Sequence, residues 1–161
     1  MRLENIMNEA KEPDGTYVAA VLSKESKNKI KNLCVTLGLS NRVSSDKMHT
    51  TIIYSRVHVP ELEADQSIYP AKATAIGLDV FEMRNNKRAL VLKIKSKKLT
   101  DRHNKIMDEY KTTYDYPEYI PHITLTYDAG DFDPSSYTGD LPEIEYASEY
   151  VEDLVLDWTD K

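Results

Sequence analysis

Shifted by 73 positions, part of this chain lies on another part without a gap: Thr16–Ser55 falls on Ala89–Asp128. Ser23 meets Ser96, His49 meets His122, Thr51 meets Thr124 and Tyr54 meets Tyr127. Apolar positions coincide as well, Leu33 with Ile106, Cys34 with Met107 and Leu37 with Tyr110. A repeat constrains the fold strongly, because each copy must build the same supersecondary unit and the two units must bury their apolar faces together.

Each copy reads as strand, helix, strand. Tyr17–Leu22 and Ala89–Lys95 are rich in β-formers, and in the second Leu90, Leu92 and Ile94 alternate with Lys93 and Lys95. Ser23 and Ser96 then stand where a helix needs an N-cap. Ile30, Leu33, Cys34 and Leu37 follow at helical spacing, as do Leu99, His103, Ile106, Met107 and Tyr110, and Gly38 marks a helix stop. Thr51–Tyr54 and Ile123–Tyr127 are the closing strands, each with a histidine at its start. Ala73–Phe81 is read as a further strand and Asn85–Asn86 as its hairpin turn, since asparagine tolerates positive φ. Val57–Pro70 and Asp128–Pro142 read as loops, and Ile144–Ala147 and Tyr150–Leu156 as two terminal strands. The expected fold is α+β, two-lobed, with two pseudo-twofold strand–helix–strand repeats and antiparallel sheets around a central cleft. Residues 1–161 are expected to form one catalytic domain, with repeats at 16–55 and 89–128 and a substrate-capping segment at 143–161.

Composition narrows the partners. A chain that is 40% apolar and 30% charged has the make-up of a globular protein. No stretch approaches the length of a transmembrane helix, Met1–Gly15 is too polar for a signal peptide, and the expectation is a cytoplasmic protein without membrane contact. The single cysteine, Cys34, leaves no internal disulfide and no cysteine-built zinc site, and is read as a buried helix residue. The net charge of −6 disfavours a binder of long nucleic acid, which works through counterion release from phosphates. It leaves open a small phosphorylated ligand held in a pocket.

The chemistry lies in His49-Thr50-Thr51 and His122-Ile123-Thr124. Positions i and i+2 of a strand point the same way, so each imidazole projects beside a threonine hydroxyl. Phosphodiester cleavage needs a base for the attacking hydroxyl or water and an acid for the leaving alkoxide, and histidine serves both near neutral pH. The threonine hydroxyls can donate to the non-bridging oxygens, where charge develops. This scheme uses no metal or other cofactor. One H-x-T motif alone means little; two of them at matched places in a repeat mean much more.

The segments M-HTT-IIY and P-HIT-LTY resemble the paired motifs of the 2H phosphoesterase superfamily over residues 16–128. That resemblance implies a catalytic pair in His49 and His122, with Thr51 and Thr124 binding phosphate. Within the superfamily the chain is similar to the anti-CBASS phage nucleases, which degrade cyclic di- and trinucleotide immune signals. The matching features are Tyr17 on the first strand and the ending E-D-L-V-L-D-W, with Glu152 and Trp158. Comparable aromatic and acidic residues hold a nucleobase in those enzymes, which gives Tyr17, Glu152 and Trp158 a substrate-binding role by resemblance.

The expected activity is metal-independent cleavage of 3′–5′ bonds in cyclic oligonucleotides by a monomer in the host cytoplasm. The alternatives are a 2′,3′-cyclic or 2′–5′ oligoadenylate phosphodiesterase, and a protein that sequesters nucleotides without cutting them. His58 and His103 lack the following Ser or Thr and are read as structural; Lys27, Lys29 and Lys31, and Lys93, Lys95, Lys97 and Lys98, are read most simply as solvated faces, either of which could border the pocket.

Overall fold

A computed structural model describes residues 13–83 and 85–156. The first repeat forms β1 (Gly15–Leu22), α1 (Lys24–Thr36) and β2 (His49–Ser55). After β3 (Ala71–Glu82) the second forms β4 (Arg88–Lys95), α2 (Lys97–Tyr110) and β5 (His122–Thr126), and β6 (Glu143–Leu154) follows.

Local chemistry sets the element boundaries. The Ser23 side chain accepts from Ser26 N–H at the start of α1, and Ser96 accepts from Leu99 N–H at the start of α2. Such a cap is worth about 1 kcal/mol to a helix end. Gly38, at φ 73°, ends α1 in the left-handed region, where its lack of a Cβ removes the strain. Asn86, at φ 65°, turns the β3–β4 hairpin and donates its N–H to Met83 O.

The six strands form one antiparallel sheet in the order β2-β1-β6-β3-β4-β5. The order is symmetric about the β6–β3 seam, where Ala71–Thr74 pair with Tyr146–Glu143. The irregularities obey the same symmetry. Ile52 of β2 is skipped between the pairs Val18–Ile53 and Ala19–Thr51, and Leu125 of β5 between Leu90–Thr126 and Val91–Thr124. Ala147 of β6 and Ile76 of β3 are skipped at the matching places nearer the seam. Each bulge therefore has a mate across the twofold, and a bulge re-aims the strand beyond it.

Two expectations change. β6 is one strand rather than two, because the Ala147 bulge carries pairing through the polar residues between the apolar runs. The ungapped shift of 73 holds for β2 against β5 but not for β1 against β4. There the sheet aligns Val18 with Leu90 and Ala19 with Val91, a shift of 72. A one-residue slip turns every side chain to the other face, so the mate of Tyr17 is Ala89, not the core residue Leu90.

Both helices pack on one face. Ile30, Leu33 and Cys34 of α1 and Leu99 and Ile106 of α2 share a core with Val18, Ala20, Leu22, Leu90, Leu92 and Ile94. Leu78 and Val80 of β3 also pack against that core. Residues of opposite parity line the other face, called the open face below. The outer strands β2 and β5 also touch each other, so the sheet curls until its edges meet. No helix among the described residues is long and apolar enough to cross a membrane.

Candidate functional site

Both H-x-T pairs lie on the open face. His49 and Thr51 are half-buried on either side of buried Thr50, and His122 and Thr124 on either side of buried Ile123. This is the alternation expected of i and i+2 on a strand. The bulges at Ile52 and Leu125 sit immediately after the two threonines and turn Tyr54 and Tyr127 back to the open side.

Around the first pair the surface is aromatic. Tyr17, on β1, has its hydroxyl 2.9 Å from Thr51 Oγ1. Its ring centroid lies 6.1 Å from that of His49, and Tyr150 lies 6.3 Å from His49 and 6.1 Å from Tyr17. Glu152 is the register partner of Tyr17 and Tyr150 that of Ala19, which sets both on the same face as the motif. Burial pushes the Tyr17 phenol far above its ordinary range, against the lowering effect of Thr51, so the hydroxyl stays protonated.

Around the second pair the surface is mixed. Phe81 meets the His122 ring edge-on with centroids 5.0 Å apart. Lys93 is the register partner of His122, and its Nζ lies 3.5 Å from Asp79 Oδ2. Of the lysine run that could border a pocket, Lys93 is thus half-buried beside His122.

The two imidazoles differ in what holds them. His122 Nδ1 is 2.8 Å from Ile120 O. A carbonyl only accepts, so Nδ1 carries the proton and Nε2 of the neutral ring presents a lone pair. Burial lowers the pKa of His122, partly offset by that bond. Burial, and then the charge of Lys27, lowers that of His49. Each imidazole, with the threonine hydroxyl beside it, can take up, release and position a proton.

Of the residues expected from sequence, His49, Thr51, Tyr17 and Glu152 are gathered in one half of the face, and His122 and Thr124 in the other. Trp158 lies outside the described residues. Tyr150, Phe81 and Asp79 escaped the sequence reading, although Tyr150 stands two before Glu152 on one strand and so shares its face. No group of three or more His, Cys, Asp or Glu side chains able to hold a metal occurs among the described residues. A concavity of about 430 Å³ lies beside β6, lined by Thr16, Val59, Leu62, Tyr150, Glu152 and Asp153. It contains neither histidine.

The two H-x-T strands thus lie one in each half of a pseudo-twofold antiparallel sheet. Residues 14–161 match the family model described as Anti-CBASS protein Acb1, and the chain belongs to that family. The Anti-CBASS protein Acb1 of Vibrio phage KVP40 is 34% identical over 147 residues, covering 91% of this chain and 92% of its own. That of Enterobacteria phage T4 is 36% identical over 147 residues, with coverage of 91% and 92%. Among solved structures, TT0787 of Thermus thermophilus superposes at a TM-score of 0.49 and 16% identity, over 84% of this chain and 82% of that one.

Proposed function

We propose that this chain is a metal-independent phosphodiesterase that cleaves 3′–5′ bonds of cyclic di- and trinucleotide second messengers and so counters CBASS defence. The observation that carries the reading is the symmetric placement of the two H-x-T pairs. They lie on mated strands, on one face, each directly before a mated bulge. The name borne by the relatives points to the same role.

His122, whose proton is held on Nδ1, is the base: Nε2 takes the proton of the attacking sugar 2′-hydroxyl. His49, protonated once the phosphate is bound, gives its proton to the leaving 5′-oxygen. Thr51 and Thr124 donate to the non-bridging oxygens. The 2′-oxygen forms a new bond to phosphorus as the bond to the 5′-oxygen breaks, leaving a 2′,3′-cyclic phosphate that water opens in a second step. The sugar hydroxyl is a suitable nucleophile because it is held beside the phosphate at high effective concentration. Tyr17 positions Thr51 through its hydroxyl and, with Glu152, faces a nucleobase. Trp158 is assigned to stack on that base; of the segment 143–161 expected to cap the substrate, Glu143–Leu154 is the central strand β6 and floors the face instead. The enzyme acts as a monomer in the host cytoplasm.

The test is incubation with a panel of cyclic di- and trinucleotides in excess EDTA, with products identified by mass. Cleavage to linear products, blocked by a 2′-deoxy sugar beside the scissile phosphate, is the expected result. Binding without cleavage indicates a nucleotide-sequestering protein. Loss of cleavage on chelation, restored by a divalent ion, rules out the two-histidine scheme.

A further inference from the structure

The twofold that pairs His49 with His122 sets Phe81 in the place of Glu152, Asp79 in that of Tyr150 and Gly77 in that of Ser148. These β3 residues share the open face with His122. Phe81 touches its ring, and Asp79 holds Lys93, its strand neighbour. We propose that Phe81, Asp79 and Lys93 form a second nucleobase subsite, for the purine on the far side of the scissile phosphate from the base at Tyr17 and Glu152. The proposal rests on the reading of the chain as a cyclic-oligonucleotide phosphodiesterase.

Three observations carry it. The first is open space. A Cβ added at Gly77 would meet nothing within 4 Å. Along the open face of β3 Asp79 stands between Gly77 and Phe81, so a planar group that meets Phe81 and Asp79 can extend over the uncovered backbone at Gly77. The second is a stacking surface. Phe81 is half-buried, and among the described residues its aromatic contact is the edge-on ring of His122. An aromatic side chain at this position accepts a base of any sequence by its π-face. The third is a held carboxylate. Asp79 Oδ1 accepts from Val80 N–H at 2.8 Å and Oδ2 lies 3.5 Å from Lys93 Nζ, while the side chain remains 46% exposed. Each carboxylate oxygen has a further lone pair. Guanine offers two neighbouring donors, N1–H and the 2-amino group, to such an acceptor, whereas adenine offers only its amino group. Lys93, beside His122, draws the bridging phosphate and offsets the charge of Asp79.

The chemistry expected is therefore a purine subsite that favours guanine. A cyclic dinucleotide is itself close to twofold-symmetric, and an acceptor on each lobe, Glu152 on one and Asp79 on the other, matches two bases that flank one phosphate.

The experiment uses the full chain with His49→Ala to prevent turnover, and measures binding of cyclic di-guanylate and cyclic di-adenylate by calorimetry. Phe81→Leu keeps apolar bulk but removes the stacking face, and should weaken both ligands roughly fivefold to a hundredfold. Asp79→Asn should weaken the guanylate by about tenfold more than the adenylate, because an amide presents one acceptor where the carboxylate presents two. A Phe81→Leu protein that keeps its melting temperature and binds both ligands like its parent overturns the subsite. If Phe81→Leu fails to fold, the half-exposed Asp79→Asn decides, and an unchanged ratio between the two ligands overturns it. A parent that binds neither ligand, together with an unsubstituted chain that cleaves no cyclic oligonucleotide, removes the underlying function as well. A parent that binds while the variants are indifferent removes only the subsite.

Discussion

Tyr119, three residues ahead of His122, donates its hydroxyl to the carbonyl of Thr51 at 2.7 Å. Its ring stacks on His103 with centroids 4.2 Å apart and planes 6° from parallel, and His103 Nδ1 donates to Ile52 O at 2.7 Å. Two successive carbonyls on the strand of the first motif are thus held by residues of the second repeat. The mate of Ile52 is treated alike, since Leu125 O accepts from Val43 N–H at 2.8 Å. Each bulge is therefore tied to the opposite lobe, which fixes the two H-x-T pairs relative to one another. Burial keeps the Tyr119 phenol protonated by pushing its pKa well up, so it remains a donor.

Tyr119→Phe removes that donor while keeping the ring on His103. The Thr51 carbonyl loses a partner, at about 1 kcal/mol, or about 2–4 °C in melting temperature for a chain of this size. Because the proposed scheme uses Thr51 to bind phosphate, kcat should fall by on the order of tenfold, with KM changing much less. A variant with wild-type kcat and only a lower melting temperature would assign Tyr119 to packing alone.

His49→Ala and His122→Ala should each remove nearly all turnover of a cyclic dinucleotide, and the double variant should be hardly worse than either. Groups that act as one unit show this non-additivity. Steady-state kinetics of the three proteins, with far-UV circular dichroism to verify folding, test it. Strictly additive losses would mean that the two imidazoles work on separate steps.

The repeat was legible because it rests on local signals. Ser23 and Ser96 cap helices, Asn86 turns a hairpin, and two apolar strands open with histidine. What escaped depends on register. Tyr17 and Leu90 align in sequence but face opposite sides, because one residue is absorbed where β4 meets Ser96, and nothing in the local pattern announces that slip. The Ala147 bulge likewise joined two apolar runs into one strand. Phe81, Asp79 and Tyr150 become neighbours of the histidines only through pairing with distant strands. Lys93 read as solvated or pocket-bordering because its strand alternates like any edge with one wet face. Here that face also carries His122 and Thr124.

The depressed pKa values of both histidines fix the direction of the pH dependence. Cleavage by the proposed scheme needs one imidazole neutral and the other protonated, a state most populated midway between the two pKa values. Both lie below the ordinary value of about 6.5, so kcat/KM should peak on the acid side of it. In the complex the phosphate anion favours the imidazolium, and the kcat profile should be displaced to higher pH. A group that folding holds neutral contributes stability that is complete above its unfolded pKa and lost as pH falls towards its folded pKa. Melting temperature should therefore decline as pH drops through about 6.5, and decline less in His122→Ala. A kcat/KM profile that peaks above neutrality would contradict the assignment.

The buried ion pair of Arg102 and Glu149 supplies the last prediction. Their side chains are 6% and 0% exposed, with Arg102 Nη2 2.9 Å from Glu149 Oε2. Glu149 also accepts from Tyr69 Oη at 2.9 Å and Asp65 N–H at 3.0 Å, and Arg102 donates to Glu63 O at 3.1 Å. The cluster joins α2, β6 and the connector from β2 to β3 on the face opposite the histidines. Arg102 stands on the buried stripe of its helix, three residues after Leu99 and four before Ile106, but a charged residue there carries no apolar signal for sequence periodicity to read. Removing one member of such a pair leaves an uncompensated buried charge, and Arg102→Met should destabilise the fold by about 3–5 kcal/mol. Replacing both, Arg102→Met with Glu149→Leu, leaves no charge behind and should be milder than Arg102→Met alone, although Tyr69 and Asp65 then lose an acceptor. Urea unfolding of the two proteins at neutral pH makes the comparison. A double variant less stable than Arg102→Met would show that the carboxylate stabilises this core through Tyr69 and Asp65 more than through the arginine.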